Sequence, residues 1–224
     1  MKLSTRLQTV YDMVPFGIAY DVGSDHGKLI ISLVENNKIL FGYGGENKKG
    51  PFARLEEEIK KSSNKDKLKP LFNDGINDLP EDVNILLLCG MGGYLINDIL
   101  NKNKQHLSHV EHIIVDAHNA IYEVRDNITS LGFRIANEEI VYEKKVYYEI
   151  IHFVKGKDDL NENDKCFGPI LRANKSKTFI NKWNKWIDEI DNIIAKIDDA
   201  DRIETLNKEK ERIKEVLWTQ EAYF

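Results

Sequence analysis

Long apolar runs and cysteine are both scarce in this 224-residue chain. No window approaches the roughly 20 consecutive apolar residues that a membrane-spanning helix needs, so we expect no membrane partner. The two cysteines, Cys89 and Cys166, are too few for a disulfide scaffold or a zinc finger. The amino terminus lacks the apolar block of a signal peptide, and the chain is therefore expected to be cytoplasmic with reduced thiols.

Basic side chains are outnumbered by acidic ones. The chain holds 32 Lys and Arg against 37 Asp and Glu, a net charge of -5. Taken alone, this balance argues against a nucleic-acid partner, because phosphate contacts require Lys and Arg. The acidic excess is confined to residues 1–167, however, since residues 168–224 hold 11 basic and 11 acidic side chains. We therefore expect the surplus carboxylates to line a pocket in the first part of the chain.

Short apolar runs alternate with amphipathic stretches through the first two thirds of the sequence. They predict strands at 18–22, 38–43, 68–72, 83–89 and 113–116, with helices between them. Two alternating runs, 133–142 and 146–154, predict a closing antiparallel pair. Strands that alternate with helices are typical of an α/β fold with a doubly wound parallel sheet.

The pattern changes after Gly168-Pro169. From there to residue 219 apolar side chains recur at helical spacing, and no strand-like run is present. This predicts two antiparallel helices, a helical hairpin or coiled-coil appendage. The predicted domains are residues 1–160, which contain the sheet, and residues 168–224, which form the hairpin.

Glycines and acidic or polar side chains follow each of the first five predicted strands. In a doubly wound sheet, ligands bind beyond the carboxyl ends of the strands, so these residues are expected to line one cleft. In strand order they are Asp21, Gly23, Ser24, Asp25 and His26; Glu46 and Asn47; Asp74 and Gly75; Gly90, Met91 and Gly92; Asp116 and His118.

The acids of the first loop indicate which ligand fits. Asp21 and Asp25 would repel a pyrophosphate, and the loop lacks a full G-x-G-x-x-G, so NAD is a weak candidate. S-adenosyl-L-methionine, with its sulfonium and amino groups, suits an acidic site. Glu46 follows the loop after the first strand by roughly 20 residues, the spacing at which an acid holds ribose hydroxyls. Asp74 can accept a hydrogen bond from the adenine amino group of the cofactor.

A metal site is not expected. His106, His109 and His112 recur every three residues, but they lie in a polar segment before a strand and no cysteine joins them. Flavin chemistry has no positive signal either.

Several motifs occur in an order typical of one enzyme family. The sequence resembles the TrmK family of bacterial tRNA methyltransferases, which methylate N1 of an adenine in the D-arm region of tRNA, adenine 22 in the family. The residues that carry the resemblance are Arg6 to Val10, Asp21 to His26, Gly45-Glu46, Gly50 to Phe52, Asp74-Gly75, Gly90 to Gly93, Arg125 and Gly168-Pro169.

The resemblance implies a Rossmann-like catalytic domain with a carboxyl-terminal helical hairpin, S-adenosyl-L-methionine as cofactor and tRNA as partner. Asp25, Asp116 and His118 are then the candidate catalytic residues, and the other strand-end residues bind the cofactor. Adenine N1 has a lone pair and needs no strong base, but its methylated product is a cation that Asp25 or Asp116 would stabilise. His118 would contact a base, and Lys28 would contact a phosphate.

The side facing the target base departs from the family pattern. Lys28 replaces a usual aromatic residue two positions after His26, and Asp116-Ala117-His118 replaces a Gln-Pro-Asn-like segment. Two alternatives therefore stay open: a methyltransferase with another RNA or a small substrate, and a non-catalytic RNA-binding or scaffold protein. The oligomeric state is also open, with a monomer slightly favoured.

Overall fold

The computed structural model describes residues 2–218 of the chain. The chain divides into two compact units between Cys166 and Phe167. The elements of the first unit are α1 (Thr5–Met13), β1 (Ile18–Val22), α2 (Lys28–Glu35), β2 (Phe41–Glu46), α3 (Lys49–Lys61), β3 (Leu68–Phe72), β4 (Ile85–Met91), α4 (Gly93–Lys102), β5 (His112–Ala117), α5 (Ile121–Ser130), β6 (Phe133–Glu143) and β7 (Val146–Lys155). A short helix, α6 (Glu162–Phe167), follows at the boundary.

The sheet of the first unit is mostly parallel, with strand order β3-β2-β1-β4-β5-β7-β6. Strands β1 to β5 pair in parallel, and β7 runs antiparallel to both β5 and β6. This arrangement confirms the predicted Rossmann-like α/β class. Chain order reverses between β1 and β4, and such a reversal leaves a crevice at the carboxyl ends of the two strands.

Burial in the core explains why the strands appear as apolar runs in the sequence. Residues 85–88 of β4 have no exposed surface, and residues 29–34 of α2 are almost completely buried. A strand covered on both faces needs apolar side chains at every position. Val10 and Val14 of the α1 segment join the same cluster with Ile150 of β7, which fixes α1 against the sheet.

The predicted bounds of the second and fourth strands are displaced: the fourth was expected at 83–89, but β4 comprises Ile85–Met91. The second strand was expected at 38–43, but β2 comprises Phe41–Glu46. The Lys38 amide donates to the Leu33 carbonyl, so that segment is the turn after α2. Gly44 and Gly45 lie inside β2, and Gly44 has no room for a side chain, because a Cβ there would lie 3.0 Å from a Leu55 methyl carbon.

The second unit is helical. It contains α7 (Pro169–Asn174), α8 (Lys177–Ile194) and α9 (Ala200–Trp218). Helices α8 and α9 pack on each other, and the Trp186 indole donates to a Glu209 carboxylate oxygen at 2.8 Å. The short helices α6 and α7 were not predicted, since six residues are too few to show a helical period. The predicted hairpin residues beyond 218 lie outside the described part of the chain.

Within residues 2–218, every helix is too short or too polar to cross a bilayer.

Candidate functional site

A cavity of about 260 Å³ lies at the carboxyl ends of β1 and β4, where the strand order reverses. Six of the residues predicted for the site line it, together with side chains of α1 and α2. The lining residues are Arg6, Leu7, Asp21, Gly23, Ser24, Asp25, His26, Lys28, Leu29, Cys89 and Gly90. The structure thus joins the first and fourth strand ends in one pocket, as the topology requires.

Asp21 is the buried acid of this cavity. Its Oδ2 accepts a hydrogen bond from the Ser24 hydroxyl at 2.8 Å. Burial raises the pKa of Asp21 to about 7 against the lowering effect of Ser24, and the nearby Glu46 carboxylate raises it further. The carboxyl therefore changes protonation near neutral pH, and a cation placed in the cavity would favour its ionised form.

The loop after β1 is fastened to the end of β2. The amides of Gly23 and Ser24 both donate to the Gly45 carbonyl at 3.0 Å. Asp25 has a left-handed backbone, with φ 47°, and its amide donates to Glu46 Oε1 at 2.6 Å. The loop thereby aligns the carboxyl ends of two neighbouring strands.

The Asp25 side chain points away from this contact. Its Oδ1 accepts a hydrogen bond from the Arg54 guanidinium at 3.1 Å, and its Oδ2 lies 3.6 Å from His26 Nε2. The carboxylate is more than half exposed. Asp25 is thus an ion-paired residue at the mouth of the cavity, whereas Asp21 is its buried acid.

The residues predicted after the second and third strands lie beside the cavity and do not line it. The Asn47 amide donates to Asp74 Oδ1 at 2.7 Å. Gly75 has φ 63°, and its carbonyl accepts from the Tyr20 hydroxyl at 3.1 Å. Glu46, which is buried, connects this group to the cavity through its bond to the Asp25 amide.

The glycines after the fourth strand connect it to the segment after β5. Gly90 has φ 74° and lies where the pairing of β4 with β5 shifts register. The carbonyl of Met91 accepts from the His118 amide at 2.9 Å. Gly92 is the residue before α4, and the Gly93 amide donates to the Asn119 side chain at 3.0 Å.

Asp116 is fully buried and paired with a cation. Its Oδ2 accepts from the Arg6 guanidinium at 2.5 Å, whereas no residue within 2–218 hydrogen-bonds its Oδ1. Burial raises the pKa of Asp116 against the opposing charge of Arg6. Arg6 in turn lies 5.0 Å from the centre of the Tyr148 ring, and the exposed His118 ring meets Tyr148 edge-on at 6.0 Å.

Sequence reasoning did not assign Arg6 to the site. Arg6 lies 110 residues from Asp116, and only the packing of α1 on the sheet brings the two side chains together. Local sequence around Arg6 carries no signal for this contact. Asp116 and His118 consequently reach the cavity through Arg6 and Tyr148, and do not line its wall.

The histidines that recur every three residues, His106, His109 and His112, do not form a metal-binding group in the described residues. His112 instead faces His152 across β5 and β7, with ring nitrogens 3.0 Å apart. Across residues 2–218, no three His, Cys, Asp or Glu side chains are arranged to hold a metal ion.

Comparison with known proteins identifies close relatives along almost the whole chain. Residues 19–221 match the family described as TrmK, tRNA (adenine(22)-N(1))-methyltransferase. The tRNA (adenine(22)-N(1))-methyltransferase of Bacillus subtilis is 28% identical over 96% of this chain and 93% of that protein. The crystal structure of the B. subtilis m1A22 tRNA methyltransferase TrmK aligns with a TM-score of 0.87 and 27% identity, covering 96% of this chain and 99% of that one.

A second structural relative was solved with its cofactor. The Sp1610 protein of Streptococcus pneumoniae, in complex with S-adenosyl-L-methionine, aligns with a TM-score of 0.90 and 30% identity. The alignment covers 96% of this chain and 100% of that one.

Proposed function

The chain belongs to the TrmK family of tRNA (adenine(22)-N(1))-methyltransferases, and we propose that it transfers a methyl group from S-adenosyl-L-methionine to N1 of adenine 22 in tRNA. The observation that carries the proposal is the cavity at the carboxyl ends of β1 and β4, with the buried Asp21 carboxyl in its wall. Its position agrees with the general place of ligands in open α/β sheets. The buried Asp21 carboxyl favours a ligand that places a cation beside it.

S-adenosyl-L-methionine fits the carboxylates at this edge of the sheet. Asp21 is a buried carboxyl whose side-chain hydrogen bond comes from a neutral hydroxyl, so its ionised form gains most from a cationic ligand. We assign Asp21 to the positively charged end of the cofactor, Glu46 to its ribose, and Asp74 with Asn47 to its adenine. When bound, the cofactor supplies an electrophilic methyl group.

Backbone groups complete the proposed cofactor contacts. Gly23 has a positive φ angle and lines the cavity, so its backbone can approach the cofactor without a side chain between them. Gly75 also has a positive φ angle, and a Cβ there would lie 3.1 Å from Ile99. Ser24 and His26 line the cavity from the same loop, and Gly90, Met91 and Gly92 present the end of β4 opposite them. The Asp25 amide holds the Glu46 carboxylate and so fixes the position of the acid proposed for the ribose.

The residues at the end of β5, which we propose face the target adenine, are of a different kind. Asp116 Oδ1 is buried without a hydrogen-bond partner in the described chain, and it does not line the cavity. We propose that it accepts a hydrogen bond from the adenine amino group once the entering base displaces the side chains that cover it. Arg6 holds the other oxygen and fixes the carboxylate in place. The Asp116 charge would also favour the cationic product, and the exposed His118 ring is positioned to stack on or hydrogen-bond a base.

The test uses labelled S-adenosyl-L-methionine with two unmodified tRNA transcripts, one natural and one with guanine in place of adenine 22. We expect label transfer to the natural transcript alone, with N1-methyladenosine found by mass spectrometry of the digest. Calorimetry with the cofactor alone is the accompanying measurement. Cofactor binding without transfer to adenine N1 would favour another substrate, and no cofactor binding would favour a scaffold protein.

A further inference from the structure

The tip of the β6–β7 hairpin, residues 142–147, extends beyond the catalytic edge of the sheet. Pairing of β7 with β5 ends where Ile150 faces Asp116. Tyr147 precedes Ile150 by three residues, so it lies about 10 Å beyond that pair, past the carboxyl end of β5, at the usual rise of a strand. The tip also touches the site directly, since the Glu143 carboxylate accepts a hydrogen bond from the Arg6 amide at 3.0 Å.

Two tyrosines form an aromatic pair on this tip. Tyr142 and Tyr147 are directly opposite each other in the ladder, with ring centres 4.6 Å apart. Cross-strand aromatic pairs also stabilise hairpins, but such a role does not require exposure. Tyr142 keeps 52% of its surface exposed. An exposed aromatic surface beside a methyl-transfer site is suited to stacking on a nucleobase.

Two lysines make the turn of the same hairpin. Lys144 and Lys145 have φ angles of 49° and 68°, so both occupy the left-handed region. A two-residue hairpin turn with this backbone favours Asn-Gly, and lysine is a poor choice for it. Both side chains are exposed. Strained backbone that keeps an unfavourable residue is characteristic of functional positions, and two exposed cations match a phosphate backbone.

We propose that the hairpin tip is a tRNA contact, with Lys144 and Lys145 on backbone phosphates and the Tyr142–Tyr147 pair stacked on a base near the target adenine. The inference rests on the proposed function, because it takes the RNA to be the tRNA presented to this same edge. The acid of the tip, Glu143, is held by the Arg6 amide, which leaves the lysines as the charges at the turn.

The first test replaces Lys144→Asn together with Lys145→Gly and measures tRNA affinity by fluorescence anisotropy across a salt series. Asn-Gly suits the turn, so we expect a higher Tm, which excludes misfolding as the cause of weaker binding. Affinity should fall about tenfold at low salt, and the salt slope should decrease by about 1.4 to 1.8 for two lost phosphate contacts.

The matched control is Lys65→Gln with Lys67→Gln. These two exposed lysines precede β3 at the opposite edge of the sheet, and their replacement removes the same charge. We expect tRNA affinity within twofold of the unchanged protein. An equal loss in both double variants would show a general charge effect and would overturn the inference.

The second test concerns the rings. Tyr142→Ala with Tyr147→Ala should weaken tRNA binding about tenfold, whereas Tyr142→Phe with Tyr147→Phe should preserve it because stacking needs only the ring. Unchanged affinity in the alanine variant would contradict the role. So would a failure of the unchanged protein to bind tRNA, or hairpin variants that alter oligomeric state but not tRNA affinity.

Failure of this inference is distinct from failure of the proposed function. A chain that methylates adenine 22 while its hairpin variants bind tRNA normally contradicts only the hairpin contact. A chain that binds tRNA through the hairpin but transfers no methyl group contradicts only the proposed reaction.

Discussion

The carboxylates on the two halves of the sheet edge are held by different partners. At the ends of β1 to β3, Asp21 accepts from a serine hydroxyl, Glu46 from a backbone amide and Asp74 from an asparagine amide. At the end of β5, Asp116 is paired with the Arg6 guanidinium. On the first half, which we call the cofactor half, these three acids are bonded to neutral groups, whereas Asp25 beside them is paired with a cation, Arg54. We propose that the cofactor half suits a cationic cofactor. The second half, the base half, has a carboxylate that already holds a guanidinium, and we propose that it recognises a neutral base through a hydrogen bond.

The largest effect that would test this contrast is expected at Asp116. Replacement by Ala should lower methyl transfer to tRNA by about 100-fold or more, because it removes the buried acceptor, while cofactor affinity stays within twofold. It should also lower the free energy of unfolding by about 3 to 5 kcal/mol, since Arg6 loses its charge partner. Single-turnover transfer, calorimetry and denaturant unfolding measure the three quantities.

A double variant separates the two consequences of that change. Arg6→Met with Asp116→Leu leaves neither charge unpaired, so stability should largely return while methyl transfer stays low. Full transfer in this double variant would show that Asp116 acts only through stability, and the base side would then have no role for its acid.

A smaller effect is expected on the cofactor half, at Glu46. Glu46→Ala should weaken S-adenosyl-L-methionine binding by about 30- to 100-fold, or about 2 to 3 kcal/mol, because it removes the acid proposed for the ribose and the acceptor of the Asp25 amide. Glu46→Gln keeps an oxygen for that amide, so its cofactor affinity should lie between those of the unchanged protein and Glu46→Ala. Affinity for tRNA is the internal control. An unchanged cofactor affinity in Glu46→Ala would remove the ribose assignment.

The cofactor half is also the half that the sequence predicts best. Its acids and glycines follow their strands within a few residues, so Asp21, Ser24 and Asp25 could be placed in one cleft from strand ends alone. The difference there is local: β2 lies three residues later than predicted, because Gly44 and Gly45 are part of the strand, and side chains packed against them require glycine.

The base half depends on contacts that sequence periodicity does not encode. Asp116 was found because it ends a strand, but Arg6 joins it from a helix 110 residues earlier. That contact follows from the packing of α1 through Val10 and Val14 onto the sheet core. The antiparallel pairing of β6 with β7 was predictable from alternation, whereas the left-handed backbone of Lys144 and Lys145 was not, since the turn lacks its usual Asn-Gly.

The smallest expected effect is the pH dependence caused by Asp21. Its pKa of about 7 in the folded chain lies above the ordinary 3.8, so the folded state holds an extra proton and the free energy of unfolding falls as pH rises from about 4 to about 7. A cationic cofactor favours the ionised form, so cofactor affinity has the opposite sign and rises with pH. If only ionised Asp21 binds the cofactor, affinity should increase about eightfold between pH 6 and pH 7.5. Calorimetry in two buffers of different ionisation heat should show that cofactor binding releases a proton. Asp21→Asn keeps a side-chain oxygen for Ser24, and it should abolish both the pH dependence of stability and that of cofactor affinity. Proton uptake, or a pH profile unchanged in Asp21→Asn, would mean that the cation meets another carboxylate.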